Sequence, residues 1–273
     1  MLTAVRLFLR RLRAFFVRDF QLAYSYRMDR FMRIISVLLV VTTLFFISRI
    51  FATVAENQAA EWRQPLAAWL TGIAVLSYFM TGFSSLANAV RAEQQQGTLE
   101  AVLMTPIGLP TLIIASSGWA LVQATLYSSL YFVFGWLFFG VTFAGNYLLA
   151  LAILILTTLV LAAIGILSAS FAVVFKRGDP FALILGTGSA LFSGVFFPIE
   201  MLGTNLQNVS QILPTTYGVS AIRRVLISGA GLREVQGQIT TLCIFLVVLL
   251  PFSMWVFSRA VRRAKREGSL IQY

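Results

Sequence analysis

The stretch Arg91-Ala-Glu-Gln-Gln-Gln-Gly-Thr-Leu-Glu-Ala-Val-Leu-Met-Thr-Pro106 is polar and lies between two long apolar runs. At about 100° per residue it reads as a helix: Ala92, Leu99 and Leu103 share one face, while Glu93 and Glu100, seven residues apart, lie together away from it. Pro106 stops the pattern, because a proline inside a helix removes a hydrogen bond and clashes with the preceding turn. The apolar runs on either side are long enough to cross a bilayer, so this segment reads as an extramembrane connector.

Composition supports that reading. Of 273 residues, 59% are hydrophobic and 11% charged, against roughly 45–50% and 25% in an average soluble domain. The fold class expected is an all-α integral membrane protein. There are 21 Lys and Arg against 10 Asp and Glu, and no His. The cations sit in short segments flanking apolar runs, where they set membrane orientation rather than bind nucleic acid. Without His, the chain can build neither a Ser-His or Cys-His nucleophile pair nor an imidazole-ligated metal site. Cys243 is the single cysteine and lies inside an apolar run, so no intrachain disulfide can form. No catalytic, cofactor-binding or metal-binding residue is expected.

Outward from the opening stretch, six apolar runs are read as spans: about Ile34 to Val54, Leu66 to Val90, Leu112 to Phe139, Tyr147 to Phe175, Phe181 to Phe197 and Ile239 to Phe257. Each is measured against the roughly 20 residues a spanning helix needs. Ahead of them, Val5, Phe8, Leu9, Leu12, Phe15 and Phe16 separate on the wheel from Arg6, Arg10, Arg11, Arg13 and Arg18, the signature of a helix lying in the membrane interface. The expected organisation is an interfacial segment over 1–33, a spanning domain over 34–259 and a basic tail over 260–273. Basic residues before span one, after spans two and four, and after span six fall on one side of a six-span protein. Both termini and the Glu93 to Pro106 stretch are therefore expected in the cytoplasm. Arg223, Arg224 and Arg233 run against this trend, in an outer segment over 198–237.

The opening stretch resembles the coupling segment of permease subunits in the type-two family of ABC exporters. That segment combines E-x-x-x-G-T-L-E with a following leucine and a closing T-P, and this chain matches at Glu93, Gly97, Thr98, Leu99, Glu100, Leu103, Thr105 and Pro106. A second likeness lies in Ser193-Gly-Val-Phe-Phe-Pro-Ile-Glu-Met-Leu202 and Ile212-Leu-Pro-Thr-Thr-Tyr217 with Arg223. This is similar to the family's fifth span, its break at a proline (here Pro198) and a re-entrant helical return through a Leu-Pro turn (Pro214) to an arginine. Gly203 stands where the family commonly carries proline. The N-terminal segment resembles the family's elbow helix, so the likeness covers nearly the whole chain.

The resemblance implies a permease subunit that forms the translocation path as a dimer, here a homodimer, with a separate ABC ATPase. It also implies a cytoplasmic coupling helix over 92–105 and a location in the cell membrane of a bacterium or archaeon. ATP and Mg would bind the partner, since no G-x-x-x-x-G-K-[S/T] phosphate loop occurs in this chain. Ala182, Gly186, Ala190 and Gly194 recur every four residues and would allow close backbone approach, either within one subunit or across a dimer axis lining the path. Glu93 and Glu100 are read either as partners for basic groups of the ATPase or of the elbow, or as a solvated acidic face. Membrane lipids surround the chain. The expected cargo is an amphipathic drug or lipid, with a lipid-linked polysaccharide as the rival. The competing class is an ion-coupled secondary transporter acting without an ATPase, which calls for ionisable residues within its spans. These spans have almost none.

Overall fold

Asn146 starts a helix: its side-chain oxygen accepts from the backbone N–H groups of Leu148 at 3.0 Å and Leu149 at 3.1 Å, satisfying donors that have no partner inside the helix. Similar local signals set the other boundaries. The computed structural model describes residues 10, 14, 16–18, 20, 21, 24–54, 63–95, 109–143, 145–175, 187–189, 191–196, 199 and 203–266. Its numbered elements are α1 (Arg27–Val54), α2 (Arg63–Gln95), α3 (Leu109–Phe139), α4 (Tyr147–Phe175), α5 (Thr204–Ile212), α6 (Pro214–Ser228) and α7 (Gln236–Arg266). Among the described residues there is no strand. Gly140, at φ 62°, follows the last residue of α3, and Gly229, at φ 68°, follows the last of α6. Both hold the left-handed conformation that closes a helix at little steric cost. Pro214 stands at the start of α6, where its missing N–H costs nothing.

Five helices are long and apolar enough to cross a membrane, over Arg27–Ile50, Pro65–Ser85, Gly118–Phe139, Tyr147–Phe171 and Gln236–Arg263. The protein is all-helical and multi-pass. α4 has the bounds expected of the fourth run, and α5 with α6 supplies two short helices in the segment over 198–237. The expected fifth run is described only at 187–189 and 191–196, where helix gives way to bends from Ser193 onward. α1 already begins at Arg27, and α7 continues as helix past Pro251 to Arg266.

α2 and α4 form the centre. α3 packs on α2, α7 packs on α4, α1 leans on α3 and α2, and α6 closes one end against α4, α2 and α7. Between lipid-facing helices the hydrophobic effect contributes little, because lipid tails are as apolar as leucine; close packing and hydrogen bonds must hold them. The packing is visible at Gly165 of α4, where a Cβ would stand 2.2 Å from the backbone oxygen of Phe83 on α2. Phe79 and Phe83 of α2 are fully buried there with Val160 and Leu161 of α4 and Ile222 and Val225 of α6. A second cluster joins Val37, Val41 and Leu44 of α1 to Leu66, Leu70 and Ala74 of α2 and Tyr131 of α3. Ser128 of α3 donates to the carbonyl of Ala74 at 2.9 Å, stitching α3 to α2. Buried Thr71, Thr157 and Ser170 donate instead to the carbonyl four residues back, so their hydroxyls cost no unpaired polar group in the apolar interior.

Candidate functional site

α2 is a 33-residue helix, about 50 Å long at 1.5 Å per residue, whereas the hydrocarbon core is about 30 Å thick. Its apolar part covers Pro65–Ser85. The helix then runs on unbroken through Leu86–Gln95, roughly 15 Å more, and Glu93 falls in its last turn. Of the coupling motif, Gly97, Thr98, Leu99, Glu100, Leu103, Thr105 and Pro106 lie outside the described residues. α3 takes up the chain again at Leu109, three residues after Pro106.

The N-terminal segment meets the protein at the same end. Arg33 of α1 lies 5.8 Å from the ring centre of Tyr127, and Phe45 stacks on Phe139 at 4.4 Å, so α1 and α3 run in parallel from that end. Ahead of α1, Phe16 and Phe20 stand edge-on to Trp119 of α3, with centroids at 5.2 and 5.3 Å and planes at 86° and 88°. Edge-to-face pairs of this kind add roughly 0.5–1.5 kcal/mol each beyond the area they bury. Phe20 also stacks on Tyr24 at 6.2 Å. Of the apolar face expected there, Phe16 has a protein partner on α3, a contact that wheel periodicity alone does not reveal; the other residues of that face lie outside the described residues.

At the other end of α2 the fifth run breaks, and the break is capped by side chains. Past the end of a helix the last carbonyls have no N–H to accept from. Here three successive carbonyls find donors elsewhere: Arg223 of α6 donates through Nη1 to Gly194 and through Nη2 to Val195, and the Trp69 indole of α2 donates to Phe196 at 3.1 Å. The same guanidinium reaches the Ala68 carbonyl of α2 through Nε at 3.2 Å and Nη2 at 2.8 Å. One cation therefore joins α6, α2 and the end of the fifth run. Burial lowers its pKa to about 10, which leaves it charged at neutral pH, and a cation beside a helix C-terminus is electrostatically favoured.

Two glycines make the clasp possible. At Gly72 a Cβ would lie 2.7 Å from Arg223 Nη2 and 2.8 Å from the Val195 oxygen, so only a bare backbone admits the guanidinium. Gly194 has φ 78° and turns the chain so that its carbonyl can be reached. It stands in the bend past the helical residues at 191 and 192, while Ala182, Gly186 and Ala190 lie outside the described residues. So does Pro198. Pro214 and Arg223 fall on one helix, as the sequence pattern places them. Gly203 takes φ −60° and ψ 154° at the start of α5, an extended conformation whose φ is the one a proline ring imposes. Ala68, Trp69 and Gly72 carry no motif in the sequence. Arg223 does stand out there, as a cation on the side where cations are scarce.

A family model described as ABC-2 type transporter matches residues 10–227. The chain belongs to the ABC-2 type transporter family. The ABC-2 match takes in both ends of α2, from the arginine-rich N-terminal segment to the last turn of α6. Similar proteins include nodulation protein J of Rhizobium meliloti (strain 1021), 28% identical over 182 residues, covering 67% of this chain and 66% of that protein. Nodulation protein J of Rhizobium leguminosarum bv. viciae is 25% identical over 181 residues, covering 66% and 69%. The probable multidrug ABC transporter permease YbhR of Escherichia coli (strain K12) is 24% identical over 173 residues, covering 63% of this chain and 47% of YbhR, about half its length. As an ABC-2 family member the chain is the membrane subunit of an ABC transporter and a multi-pass integral membrane protein.

Proposed function

We propose that the chain is an export permease with six spans, working as a homodimer with two copies of a separate ATPase that binds ATP and Mg. The apolar run of about Phe181 to Phe197 serves as the fifth span, and both termini face the cytoplasm of a bacterial or archaeal cell membrane. The observation that carries this reading is the unbroken continuation of α2 from the bilayer through Glu93. A stiff rod whose end bears the coupling motif transmits a push from a nucleotide-dependent partner, and a ligand shifts an equilibrium only by binding its two states differently. Glu93 and Glu100 supply the acidic contacts, with Gly97, Thr98, Leu99, Leu103, Thr105 and Pro106 shaping the helix around them. Spans one and five, with the Ala182, Gly186, Ala190 and Gly194 face, line the path between the two copies. Exposed Leu39, Phe46 and Ile50 on α1 support an apolar wall there. The cargo is an amphipathic drug or lipid, in keeping with YbhR's description as a multidrug permease; a lipid-linked polysaccharide is the alternative load.

The test is to purify the chain from its native membrane and ask whether an ATPase subunit is recovered with it. Reconstituted together, the pair should move an amphipathic dye only with ATP. A lone chain that transports on an ion gradient would overturn the proposal. In the reconstituted pair, Glu93→Ala with Glu100→Ala should lower transport per ATP hydrolysed by about tenfold, within the range of ordinary coupling energies. An unchanged ratio and unchanged recovery of the ATPase would remove these carboxylates from the coupling surface.

A further inference from the structure

We propose that Arg27 and Arg30, gathered around Tyr24, hold the phosphate of an anionic phospholipid headgroup at the start of the first span. Both guanidiniums stand by one aromatic ring, Arg27 at 5.5 Å and Arg30 at 5.2 Å from its centroid. A guanidinium held against a ring face keeps its planar fork of N–H donors at the edge, the geometry that fits two phosphate oxygens. Arg30 is further fixed by donating to the Tyr24 carbonyl at 3.2 Å. The next arginine differs: Arg33 is engaged by Asp29 at 2.8 Å. Among the described residues neither Arg27 nor Arg30 has a carboxylate partner, so both preoriented forks are offered to an outside anion there.

The surroundings point to a lipid rather than a soluble anion. Arg27 opens the apolar window Arg27–Ile50, which places it at headgroup depth whichever side of the membrane it occupies. Around it Tyr26, Met28, Phe31 and Met32 are all more than half exposed. A free phosphate would leave those side chains bare, whereas an acyl chain beside the headgroup covers them. The site is also wired inward. Tyr24 stacks on Phe20, and Phe20 meets Trp119 in the third turn of α3, so a headgroup between the arginines holds the N-terminal segment against the span that follows the coupling motif.

The experiment titrates the detergent-purified full chain with fluorescent phosphatidylglycerol and, separately, fluorescent phosphatidylcholine. Each basic residue near an anionic surface contributes about a fivefold gain, so Arg27→Gln with Arg30→Gln should weaken phosphatidylglycerol binding roughly 20-fold and leave phosphatidylcholine binding unchanged. Arg262→Gln, on an exposed arginine of α7, should leave both unchanged. Arg27→Lys with Arg30→Lys keeps the charge but not the fork, and should weaken phosphatidylglycerol binding by a smaller factor; this pair reports on the site even if the glutamine pair fails to elute as a single species. Inorganic phosphate at millimolar concentration should not displace the lipid. Wild-type affinity in both paired variants, an equal loss with Arg262→Gln, or full displacement by phosphate would each overturn the proposal.

Discussion

Replacing Arg223 by Met is expected to destabilise the purified chain by about 3 kcal/mol, since each buried acceptor left unpaired costs roughly 1–3 kcal/mol. In a thermal melt followed by circular dichroism in detergent, that is a fall of at least about 5 °C in midpoint for a protein of this size. The reasoning starts from the break in the fifth run. Gly194 and Val195 turn their carbonyls to Arg223 because their own helix has ended. Methionine fills similar volume and donates nothing, so the cost is that of orphaned carbonyls rather than of a cavity. Arg223→Lys should fall between the two, because an ammonium cannot span Ala68, Gly194 and Val195 at once as the planar fork does. A wild-type midpoint for Arg223→Met would mean that the carbonyls find other donors and that the clasp contributes little.

The second large effect is expected at Gly165. A methyl group there would meet the Phe83 oxygen at 2.2 Å and the Phe83 carbonyl carbon at 3.1 Å. Both are backbone atoms of a helix packed on its other faces, so α2 and α4 would have to part. Overpacking of this kind costs about 1–3 kcal/mol, more than the roughly 0.5–1 kcal/mol that alanine gains over glycine within a helix. Gly82→Ala is the matched comparison. It lies on the same helix pair, but its nearest neighbours are side-chain carbons, the Thr158 methyl at 2.6 Å and a Leu121 methyl at 3.6 Å. Thr158 is β-branched and its hydroxyl donates to the Leu154 carbonyl at 2.7 Å, but a side chain yields more readily than backbone, so helix propensity should offset part of the cost and leave a midpoint between wild type and Gly165→Ala. If Gly165→Ala melts with wild type, or Gly82→Ala melts lower than Gly165→Ala, the close crossing of α2 and α4 is not where this bundle is held.

These two positions show which parts of the molecule were legible in advance. α4 could be bounded from residues beside it, because Asn146 is a local capping signal and the apolar run after it is uninterrupted to Phe175. The short helices of the segment over 198–237 followed from the Leu-Pro turn at Pro214 and the likeness carried on to Arg223. Membrane class and family followed from composition and the Glu93 to Pro106 motif. What stayed hidden depends on partners distant in the chain. Gly165 is one small residue in an apolar run until Phe83, some eighty positions earlier, is laid against it. Gly72 likewise acquires meaning only beside Arg223. Arg223 itself was visible as an anomaly of charge, a cation on the sparsely charged side, yet its role rests on carbonyls that become available only because another helix ends. The small-residue stripe expected in the fifth run could be followed only at Gly194, whose left-handed backbone serves the bend.

The continuity of α2 also sets an angular condition on the contact it leads to. A helix turns 100° and rises 1.5 Å with every residue, so the direction in which Glu93 leaves the membrane is clocked by the number of residues between Ser85 and Gln95. Adding a single alanine among Leu86–Gln95 would swing the helix end by about a quarter turn while lengthening it by only about 1.5 Å. Adding seven, close to two full turns, would restore the heading about 10 Å further out. If ATPase recovery fails with the one-residue insertion and returns in part with the seven-residue one, phase rather than reach governs how the membrane subunit meets its motor.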